Sequence, residues 1–274
     1  MIDPMTGVSR PPFGAAIMRW RHVRRMSQLD LALGSGVSQR HISFLESGRA
    51  SPSRPMVVRL ARALDVPLRE RNVLLNAAGY APLYAERGLD SDELRQVRHV
   101  FEVIIAAHGP IPAYVVDRSW TVVLSNRAAR RLTGLFVAAG SALVSGGLNI
   151  ARLLLHPDGL RPFIVNWDDV APVLIHRLER EISARPGDEV LRSLAAELRT
   201  YPGVDDLPLR PRLPNAGELL VPIHLRGRGL DVRLFTTIAT IGTPQDITLE
   251  EMRIEALLPA DAESEAELRQ LLNG

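Results

Sequence analysis

Residues 28–47, QLDLALGSGVSQRHISFLES, decide the fold of the N-terminal part of this 274-residue chain. The small side chain of Ala32 allows two helices to approach closely, and Gly36, four residues later, suits a turn that requires a positive φ. Ser38 then offers its hydroxyl as the N-cap of a second helix. The apolar positions expected to enter the core are Val37, Ile42 and Leu45. Together these positions predict a helix-turn-helix.

Signals on either side of this window predict a bundle of five helices over residues 10–80. Apolar residues recur at helical spacing from Phe13 to Trp20 and indicate a helix before the window. Polar caps and prolines mark the starts of other helices: Ser27, Ser53, Pro55 and Pro67. We expect the second and fifth helices to bury Leu29, Ala32, Leu33 and Val73.

Arginine is distributed unevenly along the chain. Residues 1–80 contain 12 arginines against 5 acidic residues, a net charge of +7, whereas residues 81–274 contain 21 against 26, a net charge of −5. A compact basic segment joined to an acidic one is typical of proteins that bind nucleic acid. All 33 basic residues are arginine, a bias that a GC-rich genome produces, so it carries little functional weight.

Length and composition narrow the class of protein. A chain of 274 residues with 46% hydrophobic content predicts two packed domains. The sequence contains no run of about 18 apolar residues that would span a membrane, and its N-terminus lacks the apolar core of a signal peptide. The absence of cysteine excludes disulfides and thiolate metal sites. We therefore expect a cytoplasmic protein that does not associate with membranes.

From about Ile17 to Tyr80 the chain resembles the Cro/C1-type (XRE) helix-turn-helix domains of bacterial and phage repressors. The residues that carry the resemblance are Arg21, Ser27–Gln28, Leu31–Ala32, Gly36–Val37–Ser38, Ile42–Ser43, Glu46–Ser47–Gly48 and Pro52. The resemblance implies that helix 38–47 enters the major groove of double-stranded DNA while helix 28–35 lies across the backbone. Such proteins usually bind as dimers, so we expect a homodimer on a partly palindromic operator.

Helical geometry separates the outer face of this second helix from its buried stripe. With Ile42 and Leu45 directed inward, the outer positions face the DNA. We predict base contacts from Gln39, Arg40, Ser43 and Phe44, since glutamine pairs with adenine, arginine with guanine, and an aromatic ring contacts the thymine methyl group. We predict phosphate contacts, which set the register, from Gln28, Ser38, Arg49 and Arg54.

Several charged residues near the predicted interface need not contact DNA. Glu46 is acidic on a DNA-facing helix, so we expect it to form an ion pair with Arg21 that joins this helix to the first one. The arginines within residues 19–25 either contact phosphates or form a solvated face, and both alternatives stay open. We expect His41 to be an edge residue and not a ligand.

The acidic part of the chain predicts a linker at 81–92, a domain over 93–262 and a C-terminal helix at 263–274. The predicted elements are a helix at 91–107, a hairpin at 113–126, helices at 126–136, 147–157, 167–184 and 188–200, a hairpin at 218–242 that turns at Gly227–Gly229, a strand at 248–258 and a helix at 261–273. This order is that of a PAS-like antiparallel five-stranded sheet with helices on one face. With the helical bundle, it predicts an α+β protein.

Residues 100–260 resemble the ligand-binding domain of MmyB-like XRE regulators. The segments that carry the resemblance are PAYVVDRSWTVVLSNRAA (112–129), NIARLLLHPDGLRPFIVNWDDVA (149–171) and TIGTPQDITLEEMRIEALLPAD (240–261). The resemblance implies a small hydrophobic or lipid-like ligand in a cavity between the sheet and the helices.

Such a cavity forms where inward side chains of the sheet face the helices. We predict Tyr114, Val116, Val122 and Phe235 as its walls, and His156, Arg161 and Trp167 at its rim. Arg161 would hold a ligand carboxylate. In the alternative, the aromatic residues are core and the segment HPDGLRP (156–162) only shapes a loop.

These features predict a sequence-specific, one-component transcriptional regulator in which a small ligand modulates operator binding. In the alternative, the chain is a DNA-binding autoregulator whose C-terminal domain is a protein-interaction or enzymatic module. The seven histidines lack the spacing of metal ligands, and the GxSxG, P-loop and GxGxxG patterns are missing. We therefore expect no enzymatic activity, cofactor or metal site. The ligand, the operator and the sign of regulation stay open.

Overall fold

A computed structural model describes residues 13–138, 140–185, 187–207 and 220–273. The chain divides into two compact units. The first comprises the chain up to Arg87 together with the segment Thr243–Glu250, and the second comprises Gly88–Gly242 and Glu251–Gly274. The predicted α+β class is confirmed, since a helical bundle precedes a five-stranded antiparallel sheet. None of the described helices is long and apolar enough to cross a membrane.

The first unit contains the five predicted helices. They are α1 (Phe13–Val23), α2 (Gln28–Ser35), α3 (Gln39–Glu46), α4 (Arg54–Ala63) and α5 (Leu68–Ala77). Ser27 caps α2 in a reciprocal arrangement with Asp30, and Gly36 ends α2 with a φ of 65°, in the left-handed region that favours glycine. Local caps therefore set the boundaries that the sequence predicted for the helix-turn-helix.

The buried face of α2 differs from our prediction. Leu29 is 51% exposed and Leu33 is 76% exposed, whereas Leu31 is fully buried. Residues two positions apart on a helix point in nearly opposite directions, so burial of Leu31 and Ser35 turns the two predicted leucines outward. Burial of Val73 was also wrong, since its side chain is 36% exposed.

The second unit is built on a five-stranded sheet. Its strands are β1 (Ala113–Val116), β2 (Val122–Ser125), β3 (Ile223–Gly227), β4 (Leu230–Ala239) and β5 (Arg253–Pro259). The order is β2-β1-β5-β4-β3 and every pairing is antiparallel. Strands β4 and β5 are the two longest and lie side by side, with Ala239 opposite Ile254 at the end of their ladder.

The remaining helices include the six that were predicted in this part of the chain and two short ones that were not, at Ala142–Ser145 and Ile247–Glu251. They are α6 (Arg95–Ala107), α7 (Arg127–Phe136), α8 (Ala142–Ser145), α9 (Ile150–Leu155), α10 (Trp167–Ala184), α11 (Glu189–Arg199), α12 (Ile247–Glu251) and α13 (Ala262–Asn273). Apolar side chains of α7, α9, α10, α13 and the sheet share one buried cluster. A second cluster surrounds Trp120 and joins α9, α10 and α11.

The predicted strand at 248–258 is wrong in its first part. Residues 247–251 form the short helix α12, and β5 begins only at Arg253. The side chain of Asp246 accepts a hydrogen bond from the backbone N–H of Thr248 at 2.9 Å, which starts a helical turn. This turn interrupts a run of alternating apolar residues that predicts a strand.

Candidate DNA-binding interface and ligand cavity

Helix α3, which we predict to be the recognition helix, is held by its apolar face and its N-cap. Ile42 and Leu45 are buried in the core of the bundle. The side chain of Ser38 accepts a hydrogen bond from the backbone N–H of His41 at 3.3 Å, as an N-cap does. The first turn of α3 thereby presents Gln39 and Arg40 exposed to solvent.

Phe44 lies between two arginines on the outer side of α3. The guanidinium carbon of Arg40 lies 5.4 Å from the centre of the phenyl ring, and that of Arg49 lies 6.0 Å from it. The ring is half-buried, and its backbone carbonyl accepts hydrogen bonds from the N–H groups of Arg49 and Ala50 at 2.8 and 3.2 Å. Phe44 therefore positions two positive charges on one face.

The other predicted DNA contacts surround this face. Ser43 is half-buried, and Arg49 and Arg54 are exposed in the turn after α3 and at the first residue of α4. Within the described part of the chain, Arg40, Arg49 and Arg54 have no carboxylate partner. Their charge is thus available to a polyanion.

The expected ion pair between Glu46 and Arg21 is confirmed. Arg21 donates from Nε and Nη2 to the two carboxylate oxygens of Glu46 at 2.7 and 2.9 Å, while its Nη1 donates to the carbonyl of Met26 at 2.9 Å. The amide of Gln28 also donates to Glu46, at 2.8 Å. A phosphate contact by Gln28 stays a prediction, and this hydrogen bond places its side chain between α2 and α3.

The environment of Glu46 favours its ionised form. Burial acts to raise the pKa of this carboxyl group, but the hydrogen bonds from Arg21 and Gln28 and the charge of Arg21 outweigh it and hold the pKa below its ordinary value. The side chain of Glu46 is only 4% exposed. Glu46 is therefore a negative charge that anchors α3 to α1, and its side chain is shielded from solvent.

Gly14 brings α1 against the end of the recognition helix. A Cβ atom at this position would lie 2.3 Å from the carbonyl oxygen of Leu45 and 2.7 Å from that of Glu46. Only glycine permits this approach, which sequence analysis missed. The signal was a glycine next to Phe13, at the start of an otherwise apolar helical stripe.

In the second unit, a cavity of about 40 Å³ lies between the sheet and the helices. Its wall is formed by Tyr114, Leu132, Ile150, Leu153, Leu154, Leu160, Leu174, Arg177, Ile223, Leu225, Leu234, Thr236, Glu255 and Leu257. Tyr114 is among the predicted wall residues. Burial raises its pKa to about 12, and its hydroxyl interacts with Thr133 Oγ1 at 3.1 Å. This phenol is neutral.

The other predicted wall residues are not among the side chains that line this cavity. Val116 is buried in the surrounding core, and Val122 packs against that core. Leu234 faces the cavity, so its neighbour Phe235 points to the opposite side of β4. The predicted rim residues also lie away from the wall: Arg161 stacks on Trp167 at 4.4 Å and donates to the carbonyl of Pro202, and His156 meets Tyr201 edge-on at 4.9 Å.

A buried network of charges that sequence analysis missed forms one side of the cavity. Arg177 pairs with Glu255, and both side chains line the wall. Arg253 donates to Glu255 at 2.9 Å and to Glu181 at 3.1 Å. Both arginines lie over the ring of Trp120, at 4.2 and 5.0 Å from its centre. The sequence shows only the local spacings that allow Arg177 to pair with Glu181 and Arg253 to pair with Glu255. It does not show that these two pairs meet, because α10 and β5 are far apart along the chain.

Comparisons with known proteins agree with this geometry. Residues 97–271, more than half of the chain, match the family of MmyB-like transcription regulator ligand binding domains, and residues 21–71 match a helix-turn-helix family. An uncharacterized HTH-type transcriptional regulator, RghRB of Bacillus subtilis (strain 168), is 30% identical over 105 residues, which cover 36% of this chain and 73% of that protein. The fold and the exposed arginines on and after α3 together define a DNA-binding transcriptional regulator of the helix-turn-helix class. The chain belongs to the family of MmyB-like XRE regulators.

Proposed function

We propose that this protein is a one-component sensor, in which a hydrophobic ligand bound in the second unit modulates operator binding by the first. The observation that carries the proposal is that one chain contains an apolar cavity and an exposed face of arginines that have no carboxylate partner among the described residues. A single cytoplasmic polypeptide of this kind detects a signal and acts on DNA without a separate partner. We propose that it acts as a homodimer on a partly palindromic operator.

At the interface, Gln39 and Arg40 project from the first turn of α3 and make the base contacts, with Ser43 and Phe44 beside them. Glutamine and arginine can each form two hydrogen bonds with one base edge, which discriminates against a wrong base by about 1–3 kcal/mol. The phosphate contacts come from Gln28, Ser38, Arg49 and Arg54. Their contribution depends on counterion release and weakens as the salt concentration rises.

The size of the cavity constrains how a ligand binds. Its volume of about 40 Å³ is close to the space taken by one water molecule, whereas small-molecule sites occupy roughly 300 Å³ or more. A ligand must therefore displace wall side chains, which include Leu153 and Leu154 of α9 and Leu174 of α10. Binding that requires such displacement is necessarily linked to a change in the unit.

The wall also indicates the chemistry of the ligand. Most lining side chains are aliphatic, and the charged pair Arg177–Glu255 is the strongest hydrogen-bonding feature among them. A buried polar group without a partner costs about 1–3 kcal/mol in proteins. We therefore expect a hydrocarbon ligand whose single polar end meets this pair.

The DNA-binding part is tested with an operator selected from random duplexes by the wild-type protein. The double variant Gln39→Ala/Arg40→Ala should lose its preference for this operator and retain non-specific binding. Arg269→Ala, which removes one exposed arginine of the second unit, is the control. Normal operator preference in the double variant would show that the assignment of base contacts is wrong.

The ligand part is tested with dodecanol and dodecanoic acid as probes, followed by native mass spectrometry and calorimetry. Leu153→Phe enlarges a wall residue that is 2% exposed and should abolish probe binding. Val190→Phe, at a position 43% exposed, is the matched control and should bind normally. If neither probe binds the wild-type protein at all and the core stays closed, the second unit is a protein-interaction module.

A further inference from the structure

The first unit contains a segment that is distant in sequence. Thr243–Glu250 follows β4 and precedes β5, yet it clusters with the chain up to Arg87. It includes Ile247, which is 3% exposed, and Asp246, which is 4% exposed. Both side chains are therefore shielded from solvent.

The N-cap residue of helix α5 provides no side-chain cap. Its N-cap residue is Pro67, which has no side-chain group that can accept a hydrogen bond, and no side-chain cap from that residue is present. The first N–H groups of a helix have no partner within the helix, and leaving them unsatisfied costs stability. Pro67 favours the start of the helix through its backbone but leaves the N–H of Leu68 without a local partner.

Glu250 supplies the missing cap. Its Oε2 accepts a hydrogen bond from the backbone N–H of Leu68 at 2.6 Å, across 182 positions of sequence. A carboxylate at this position both satisfies a free donor and complements the positive end of the helix dipole. It therefore performs for α5 the role that Ser27 and Ser38 perform locally for α2 and α3.

A second set of bonds holds the segment in place. The N–H of Ile247 donates to the carbonyl of Ala85 at 2.9 Å, and the hydroxyl of Thr248 donates to the carbonyl of Arg87 at 2.6 Å. The side chain of Arg87 pairs with Asp246 at 2.9 Å. Residues 85–87 and 246–248 are thus joined by backbone and side chain, which fixes the position of Glu250.

We infer that residues 243–250 complete the DNA-binding unit, and that Glu250 is a positioning residue for the recognition helix. Helix α5 packs against α1 and α4, and its Leu74 and Leu75 share one buried cluster with Trp20 of α1. Helix α1 in turn holds α3 through the ion pair of Arg21 with Glu46. Fraying of the first turn of α5 therefore weakens the packing of α5 against α1. Helix α3 is then positioned less firmly, and DNA binding weakens.

This arrangement also provides a route for regulation, and that step rests on the proposed function. Strands β4 and β5 contribute Leu234, Thr236, Glu255 and Leu257 to the cavity wall. The chain that connects these two strands carries the cap of α5. A ligand that shifts either strand moves one end of the segment 243–250. Occupancy of the cavity therefore changes the hydrogen bond between the Leu68 N–H and the Glu250 carboxylate.

The test is amide hydrogen exchange, resolved to single residues, on the full-length protein without ligand or DNA. Glu250→Ala should accelerate exchange at Leu68 and the first turn of α5 by about fivefold to tenfold, the loss expected for one helix cap. Glu250→Gln retains an acceptor and should give a smaller increase. Glu265→Ala removes an exposed glutamate from α13 and should change nothing in α5.

Operator affinity is measured on the same variants and should fall in the order of their exchange effects. Unchanged exchange at Leu68 in Glu250→Ala would overturn the capping role. A second variant serves if Glu250→Ala does not fold. Thr248→Val removes only the hydrogen bond to the carbonyl of Arg87 and should accelerate amide exchange at Ile247. A wild-type exchange rate at Ile247 would overturn the inference. Amide exchange needs neither ligand nor operator, so a negative result in that measurement is distinguishable from failure of the proposed sensor function.

Discussion

The two units use arginine in opposite ways. On the outer side of the helix-turn-helix, Arg40, Arg49 and Arg54 are exposed and, within the described residues, unpaired. In the second unit, Arg177 and Arg253 are largely buried and each contacts two carboxylates. Unpaired exposed charge binds phosphates, whereas buried charge persists only when it is paired. The surroundings of an arginine, more than the residue type, distinguish binding from structure.

Arg21 shows that the same rule holds within the first unit. It lies on the basic bundle but is 8% exposed and paired with Glu46, so we expect it to support α3 and not to contact DNA. Paired and unpaired arginines therefore have different roles in both units. We expect substitutions in paired sets to change stability and substitutions of unpaired arginines to change DNA binding.

The largest expected effect comes from removing one carboxylate of the buried network of Arg177, Arg253, Glu181 and Glu255. Glu255→Ala leaves Arg177 and Arg253 with one carboxylate partner fewer in a buried site, and we expect a loss of about 3–5 kcal/mol in the free energy of unfolding. Chemical denaturation followed by tryptophan fluorescence measures it. Glu265→Ala should stay within about 0.5 kcal/mol of wild type. An equal, small effect of both variants would show that the network does not stabilise the unit.

A smaller effect is expected from removing one unpaired arginine. Arg40→Ala should leave stability within about 0.5 kcal/mol of wild type and should reduce discrimination at one operator position by about 1–3 kcal/mol. Binding to single-base variants of the selected operator measures this loss. Uniformly weaker binding to all sequences, without loss of discrimination, would reassign Arg40 to the phosphate backbone.

The pair of Arg21 with Glu46 predicts a dependence on pH. The folded pKa of Glu46 lies below its unfolded value, so the carboxylate stabilises the first unit at any pH above the unfolded pKa. This stabilisation is lost as the pH falls from the unfolded pKa through the folded pKa. Amide exchange in α1 and α3 should rise there in the wild type and less steeply in Glu46→Gln. Parallel profiles would mean that another carboxylate controls the transition.

The smallest expected effect concerns a single phosphate contact. Arg54→Ala should weaken binding to all sequences equally and reduce the slope of log affinity against log salt concentration by about 1. Titrations at several salt concentrations measure the slope. An unchanged slope would place Arg54 outside the interface.

The features that the sequence predicted correctly are local. Caps at Ser27 and Ser38, the turn at Gly36 and the pairing of Arg21 with Glu46 follow from residues within one small bundle. The burial error at Leu29 and Leu33 arose because the apolar stripe of the short α2 is ambiguous, and packing of Leu31 decided its phase.

The features that it missed depend on contacts between distant segments. The cavity wall combines side chains from β1, α7, α9, α10, β3, β4 and β5, and no periodicity in one segment shows how these meet. Residues 248–258 have a strand-like pattern, whereas the local cap of Asp246 on Thr248 starts a helical turn before β5 and Glu250 in that turn bonds to the distant Leu68. Long-range pairing is therefore where the prediction failed.

The coupling of the cavity to the DNA-binding face is the central claim, and operator affinity measured with and without a cavity-binding probe tests it most directly. At concentrations where dodecanol or dodecanoic acid saturates the wild-type protein, the dissociation constant for the selected operator should change by at least about fivefold. Leu153→Phe should show the same operator affinity with and without probe. A probe that binds with one-to-one stoichiometry and leaves wild-type operator affinity unchanged would contradict this coupling.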